Sequence, residues 1–240
     1  MQVNGNVRAL ARWAAALNLL SAIPDGFSVS TLRKLIVLAD PSATAARVLG
    51  SEGLFRLAVV ADFIGLMFFA ASGALLYQVF KPASRPMALL FLVAITMGAV
   101  IQVIAGLQTM AGLTLLKAGA DMTLPVAQAH ALAIVHFKLY SLGYEVGLFF
   151  DAFSSLFMGV LILRSTFMPR IIGPLMWLDG VGGLTFSIAG LLSPPLVKVI
   201  YPMIPFATVL VGEGTFYLWL IIKSVKAERW HEQAARSLLY

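Results

Sequence analysis

The sequence predicts an all-α fold, a polytopic membrane helix bundle. The chain has 240 residues, of which 60% are hydrophobic and 12% are charged. The charged fraction is about half the value of about 25% that is usual for soluble domains. The mean hydropathy is +0.91, and the apolar residues fall into runs long enough to cross a bilayer. We expect one integral membrane domain over residues 1–240, because no long polar region remains to form a second domain.

Six apolar segments are predicted to span the membrane, since a span needs about 20 residues. The first is short and contains Asn18. It ends at Pro24-Asp25 without a small-x-small cleavage site, so we interpret it as a retained span rather than a signal peptide. The predicted spans are residues 7–23, 54–80, 87–116, 139–163, 171–192 and 203–222.

The basic residues predict the orientation of the bundle. With six spans, both termini and the loops after spans two and four lie on one face, which carries ten of the 17 basic residues. Basic residues accumulate on the cytoplasmic side, so we expect both termini to be cytoplasmic. The ten are Arg8, Arg12, Lys81, Arg85, Arg164, Arg170, Lys223, Lys226, Arg229 and Arg236. The other seven are Arg33, Lys34, Arg47, Arg56, Lys117, Lys138 and Lys198.

The outer loops are predicted to contain short amphipathic helices. The segment 31–39 has an apolar face and a basic face, which is typical of a helix on the membrane surface. A second helix is expected to begin with Asp40 as N-cap and Pro41 at the first helical position, and to end at Gly50. Thr123 and Pro125 start a further helix, and the sequence leaves open whether 125–164 is one helix or two.

Three blocks of the chain resemble a bacterial family of multi-pass membrane proteins known as domain of unknown function 4386. They are "DPSATAARVLGSEGLFRLAVVADFIG" (40–65), "MGVLILRSTFMPRIIGPL" (158–175) and "VGEGTFYLWLIIKSV" (211–225). The resemblance implies a helical bundle in the bacterial cytoplasmic (inner) membrane and implies no activity. The family pattern leads us to expect glycine where Asp151 stands.

Five acidic residues lie inside the predicted spans, where an Asp at a helix centre costs about 2.5–3.5 kcal/mol on insertion scales. We therefore expect them to face the bundle interior, a wet cavity or each other. Glu145 and Asp151 are six residues apart, so they point in directions about 120° apart and serve separate contacts. The five are Asp62, Glu145, Asp151, Asp179 and Glu213.

Small and polar residues share helix faces with these acids, as expected of interior faces. The stripe of the third span contains Gln102 between Gly98 and Thr109. We predict a ligand-binding cavity that opens outward. Its mouth would be lined by Arg56, Asp62, His136, Lys138 and Glu145, and its deeper part by Gln102, Asp151, Asp179 and Glu213. For Asp62, an ion pair with Arg56 or Lys138 is an equal alternative, and the deep acids could be purely structural hydrogen-bonding groups.

The function predicted from these features is non-catalytic binding of a small molecule or lipid, with proton-coupled transport as an extension. Two other classes stay open: an intramembrane enzyme acting on a lipid or isoprenoid, and a structural or accessory subunit. The sequence contains no Cys and no nucleotide or hydrolase motif. We predict no metal site, although His136 with Glu145 or Asp62 could supply metal ligands. The expected partner is the lipid bilayer, nucleic acid is not expected, and the sequence specifies neither a cofactor nor an oligomeric state.

Overall fold

The computed structural model describes residues 7–192 and 207–237, and its regular elements there are all helices. The helices are α1 (Val7–Leu35), α2 (Pro41–Gly50), α3 (Glu52–Phe80), α4 (Arg85–Ala120), α5 (Val126–Arg164), α6 (Ile172–Leu192), α7 (Ala207–Ile222) and α8 (Ala227–Ser237). Four of them, α3 to α6, are long and apolar enough to cross a membrane. Helices α7 and α8 are bent by 105° relative to each other, and counting them as one broken span gives five.

Helices α3, α4, α5 and α6 correspond to the second to fifth predicted spans. Helix α5 begins at Val126, 13 residues before the predicted start at 139, and continues without a break to Arg164. The question left by the sequence is therefore answered by one helix of 39 residues. The predicted start of the sixth span at 203, and Lys198, lie outside the described residues.

The separate surface helix predicted for 31–39 is wrong. Helix α1 runs from Val7 through Pro24 to Leu35, and its last turns are buried against the bundle. Proline lacks an N–H group and normally breaks soluble helices, so Pro24-Asp25 looked like a helix end. Within a bundle of membrane helices a proline is tolerated, because neighbouring groups satisfy the freed backbone.

Helix α2 forms as predicted and turns the chain from α1 into α3. The Asp40 side chain accepts a hydrogen bond from the Ala43 N–H at 2.9 Å, and Pro41 occupies the first turn. Glycine 50 is the last helical residue, and α3 starts two residues later at Glu52. Ser51 stands at the N-cap of α3 but makes no side-chain cap hydrogen bond.

Helices α4 and α5 form a closely packed antiparallel hairpin. Side chains of each helix pack against glycines of the other helix. A Cβ at Gly119 would lie 2.6 Å from that of Ala129. A Cβ at Gly143 would lie 2.6 Å from that of Ala105. The predicted small stripe of α4 forms this interface, and Gly98, Gln102, Ala105, Thr109 and Gly112 are all buried.

Two further antiparallel contacts complete the bundle. The Ser72 hydroxyl of α3 donates to the Ala14 carbonyl of α1 at 2.8 Å. Between α5 and α6, a Cβ at Gly159 would lie 2.9 Å from the Gly173 carbonyl oxygen. The Trp177 indole N–H donates to the Leu156 carbonyl at 3.1 Å. Small residues at these positions let the backbones approach closely enough for such contacts.

The apolar core consists of two clusters at opposite ends of the bundle. The terminal cluster lies at the end that holds Val7 and α8, and it includes Phe80, Phe167, Phe216 and Trp230. The distal cluster lies at the opposite end, around Leu35, Val48, Phe55, Leu116 and Phe137. Residues between these clusters form a separate layer, which is described next.

Candidate functional site

A polar layer crosses the bundle between the terminal and distal clusters, and every long helix contributes to it. Helix α3 shows the order along the chain: Phe55 belongs to the distal cluster, Asp62 follows, and Leu76 belongs to the terminal cluster. Asp62 and Asp179 are only 4% and 5% exposed, respectively. The polar layer is defined here as Asn18, Asp25, Asp62, Gln102, Tyr144, Glu145, Asp151, Asp179 and Glu213.

Asp151 is held between α4 and α5. Its Oδ2 atom accepts a hydrogen bond from Gln102 Nε2 at 2.7 Å. Its other oxygen, Oδ1, is buried without a hydrogen-bond partner and faces Gly98, where a Cβ would collide with it. Gly98 and Gln102 of the predicted stripe therefore face the carboxyl group. Position 98 has space only for glycine, which lacks a side chain.

Glu145 points away from Asp151, towards α6. Its carboxyl group covers Gly190, where a Cβ would lie 2.5 Å from Oε2 and 2.7 Å from Cδ. Oε2 is buried without a hydrogen-bond partner. The two acids of α5 thus make separate contacts on different helices, as their spacing predicted.

Helices α6 and α7 pack closely beside Asp179, where a Cβ at Gly212 of α7 would lie 2.5 Å from the Asp179 Cβ. Glu213 interacts electrostatically with the Asp179 and Asp151 carboxyl groups, and Ser155 is a hydrogen-bonding neighbour of Asp179. Glu213 lies in a π-helical turn, Leu210–Gly214. Such turns are rare and frequently mark functional sites.

A second group of polar residues lies nearer the distal cluster. Asp62 and Asp25 interact electrostatically across α3 and α1. Asp25 packs against Gly65, where a Cβ would lie 3.5 Å from the Asp25 Cβ. Tyr144 lies on α5 one residue before Glu145, and its ring packs against that of Tyr140 with centroids 6.4 Å apart.

The structure does not bring the predicted basic residues to Asp62. Arg56 Nε donates to Glu52 Oε1 at 2.8 Å, and Lys117 Nζ lies 3.3 Å from the same oxygen. This surface cluster occupies the first turn of α3, so Arg56 is paired away from the predicted cavity mouth. Lys138 is exposed.

His136 forms no ion pair with an acid of the described residues. Its Nδ1 atom lies 2.8 Å from Gln108 Oε1 of α4, so its recorded contact is an amide. Across residues 7–192 and 207–237, no three His, Asp or Glu side chains are placed to hold one metal ion.

Asp25 and Tyr144 are site residues that the sequence prediction did not include. The first predicted span ends at Pro24-Asp25, which leaves Asp25 outside the predicted cavity. The available signal was the continued spacing of Asn18, Ser21, Asp25 and Ser28, which lie three or four residues apart and so share one helix face. Three of these four are buried, as this spacing requires.

These features define the class of protein: a multi-pass membrane protein built as a helix bundle, with a carboxyl-rich layer between two apolar clusters. Within that class, the chain belongs to the family described as "Domain of unknown function (DUF4386)", whose model matches residues 13–224. The first two sequence blocks that resembled the family lie inside the match. No curated protein matches the chain, and no solved structure matches it.

Proposed function

We propose that the polar layer binds a proton or the cationic or hydrogen-bond-donating group of a small molecule or lipid. The chain would then act as a binding protein or a proton-coupled transporter. One observation carries the proposal: Asp151 Oδ1 and Glu145 Oε2 are buried without a hydrogen-bond partner. A buried acceptor without a partner costs about 1–3 kcal/mol, and a donor group of a ligand would remove that cost. A bound proton would instead remove the buried negative charge.

The charge around the layer supports a positively charged ligand. The layer contains six carboxyl groups, and the two ion pairs among the described residues both involve Glu52 at the start of α3. An ionised carboxylate in a low-dielectric interior requires a compensating charge. A proton or a cation supplies it, whereas an anion would add to the repulsion.

We further propose that the single membrane domain has six spans and cytoplasmic termini in the bacterial inner membrane. Helix α1 is not among the four helices that are long and apolar enough to cross a membrane. Its packing along α3 nevertheless supports a span, and its opposite face exposes Trp13, Leu20, Ile23 and Phe27. Such an apolar face suits contact with lipid. Helix α7 is the sixth span.

The test is proton flux into liposomes that contain the purified chain and an enclosed pH-sensitive dye, driven by a potassium diffusion potential. The wild-type chain is expected to acidify the lumen faster than empty liposomes do. Asp151→Asn, Asp62→Asn and Glu145→Gln each remove one ionisable group, and each is expected to lower the rate about tenfold or more.

The matched control is Asp121→Asn, which removes an exposed acid from the turn between α4 and α5. It should conduct like wild type. Wild-type flux equal to that of empty liposomes would remove the transport half of the proposal. Full activity in all three variants of the layer would exclude these carboxyl groups as the proton site.

A structural role is the second candidate, and the Gln102–Asp151 hydrogen bond favours it. Interhelical hydrogen bonds in membranes stabilise packing by about 0.6 kcal/mol on average. If Asp151 serves only this role, Asp151→Asn retains the contact and the flux. The enzyme hypothesis depended on His136 beside an acid, and the contact of His136 with Gln108 gives it no support.

A further inference from the structure

A groove lies at the terminal end of the bundle, between α8 and the loops that follow α3 and α5. Its volume is about 510 Å³. Pro82 and Thr166 line it from the loops, and Arg229, Glu232 and Arg236 line it from α8. None of these residues belongs to the polar layer, so the groove is a separate feature of the molecule.

The orientation of α8 places this groove at the membrane surface. The chain bends by 105° between α7 and α8, after Ser224 adopts a left-handed conformation with φ 58°. Helix α8 therefore lies across the end of the bundle, roughly perpendicular to a span. The Trp230 indole N–H donates to the Val79 carbonyl at 2.7 Å, and Gln233 Oε1 accepts from the Thr166 N–H at 2.9 Å. Both contacts fix α8 across the terminal end of the bundle. With α7 as a span, this end adjoins the membrane surface, where lipid headgroups lie.

The groove has an excess of positive charge. Arg229 and Arg236 are seven residues apart and so share one face of α8. Both are exposed, and neither forms an ion pair with a residue in the described part of the chain. Glu232 offsets one of these charges. Arginine guanidinium groups match the geometry of phosphate oxygens and bind them through paired hydrogen bonds.

We propose that this groove is a binding site for the headgroup of an anionic phospholipid, with Arg229 and Arg236 contacting the phosphate. The position of α8 favours a membrane lipid over a soluble phosphate, because the groove adjoins the bilayer surface. The apolar stems of both arginines and Pro82 provide contact for the glycerol portion. The proposal is independent of the function assigned to the polar layer.

The test measures the dissociation constant of phosphatidylglycerol from the detergent-solubilised chain by native mass spectrometry, with phosphatidylcholine of the same acyl chains as reference. Wild type is expected to prefer phosphatidylglycerol. An exposed ion pair with the phosphate contributes up to about 1 kcal/mol, which is about fivefold in affinity. Arg229→Gln with Arg236→Gln should thus weaken phosphatidylglycerol binding about 25-fold and leave phosphatidylcholine binding unchanged.

Two further variants make the test specific to the groove. Lys223→Gln with Lys226→Gln removes the same charge from the same end, outside the groove lining, and should retain wild-type affinity. Glu232→Gln removes the acid from the groove and should strengthen binding about fivefold. This gain is measurable even if the double arginine variant fails to fold.

Several outcomes would overturn the proposal. An equal loss of phosphatidylglycerol affinity in the double arginine variant and the double lysine variant would indicate general electrostatic attraction rather than a binding site. Equal affinity of wild type for the two lipids would remove the site altogether. Displacement of the bound lipid by an equal concentration of glycerol 1-phosphate would assign the groove to soluble phosphates instead.

Discussion

At the residue scale, Gly98 controls how closely α4 approaches Asp151. Gly98→Ala is expected to destabilise the fold by about 1–3 kcal/mol, which is typical of inserting a methyl group into a packed interior. The added Cβ collides with Asp151 Oδ1 and lies 3.1 Å from the Gly147 carbonyl oxygen. Neither neighbour can retreat easily, because one is backbone and the other is hydrogen-bonded to Gln102. Thermal unfolding in detergent measures the change.

Gly53→Ala is the matched control, because nothing lies within 4 Å of a Cβ at that position. It should leave the stability unchanged or raise it slightly, since alanine is the better helix former. Asp151→Gly should restore most of the stability lost in Gly98→Ala, because it removes the colliding side chain. Equal effects of the two glycine substitutions would contradict the packing described for Asp151.

The residues of the polar layer show how far a sequence can predict a site. The four deep residues, Gln102, Asp151, Asp179 and Glu213, could be found because polar groups in apolar helices must face inward. Their partners could not, since contacts between helices depend on the rotation of each helix about its axis. Arg56 is a different case: it pairs with Glu52, four residues earlier on the same helix, a contact that the spacing could have predicted.

At the element scale, α8 packs on the terminal cluster through the side chain of Trp230. Trp230→Ala is expected to cost about 3–5 kcal/mol, because it leaves a cavity in the terminal cluster. The ring is 7% exposed. Trp230→Phe should cost about 1 kcal/mol, since it keeps most of the ring and loses the hydrogen bond to Val79. Chemical denaturation monitored by circular dichroism distinguishes the two.

Glu228→Ala serves as the control, because Glu228 is an exposed residue in the first turn of α8. Its loss should cost less than about 1 kcal/mol, the stabilisation usual for an acid at a helix N-terminus. If Trp230→Ala behaved like this control, α8 would not be docked on the bundle in solution.

The boundaries of α1 and α5 explain which elements the sequence could predict. Long apolar runs located α3, α4 and α6 within a few residues, because hydrocarbon requires continuous hydrophobicity. Helices α1 and α5 extend beyond such runs, through Pro24 in one case and before residue 139 in the other. Their extra turns are stabilised by packing against the distal cluster, where Leu32 and Ala133 are buried. The hydropathy pattern of one segment does not reveal its packing against other helices.

At the scale of the whole molecule, the absence of cysteine from the sequence makes the topology directly measurable. Asp121→Cys and Glu228→Cys each introduce a single exposed thiol, at the turn after α4 and on α8 respectively. With six spans and cytoplasmic termini, a membrane-impermeant maleimide should label Asp121→Cys in intact cells. It should label Glu228→Cys only after the membrane is permeabilised.

Arg85→Cys, at the start of α4, is the internal control and should behave like Glu228→Cys, because both lie at the terminal end. Labelling of both Glu228→Cys and Asp121→Cys in intact cells would imply an even number of crossings between the two residues. The six-span arrangement has three, so this result would contradict it.

The close fit of α4 against α5 has a consequence for the order of assembly during synthesis. A turn of only five residues, 121–125, joins the two helices, so their contacts form between neighbouring parts of the chain at little loop-closure cost. The glycine contacts of this hairpin involve neither α6 nor α7. We therefore expect the hairpin to insert and pair as one unit while α6 is still in the ribosome. Asp151 would then already be bonded to Gln102 before Asp179 and Glu213 arrive beside it.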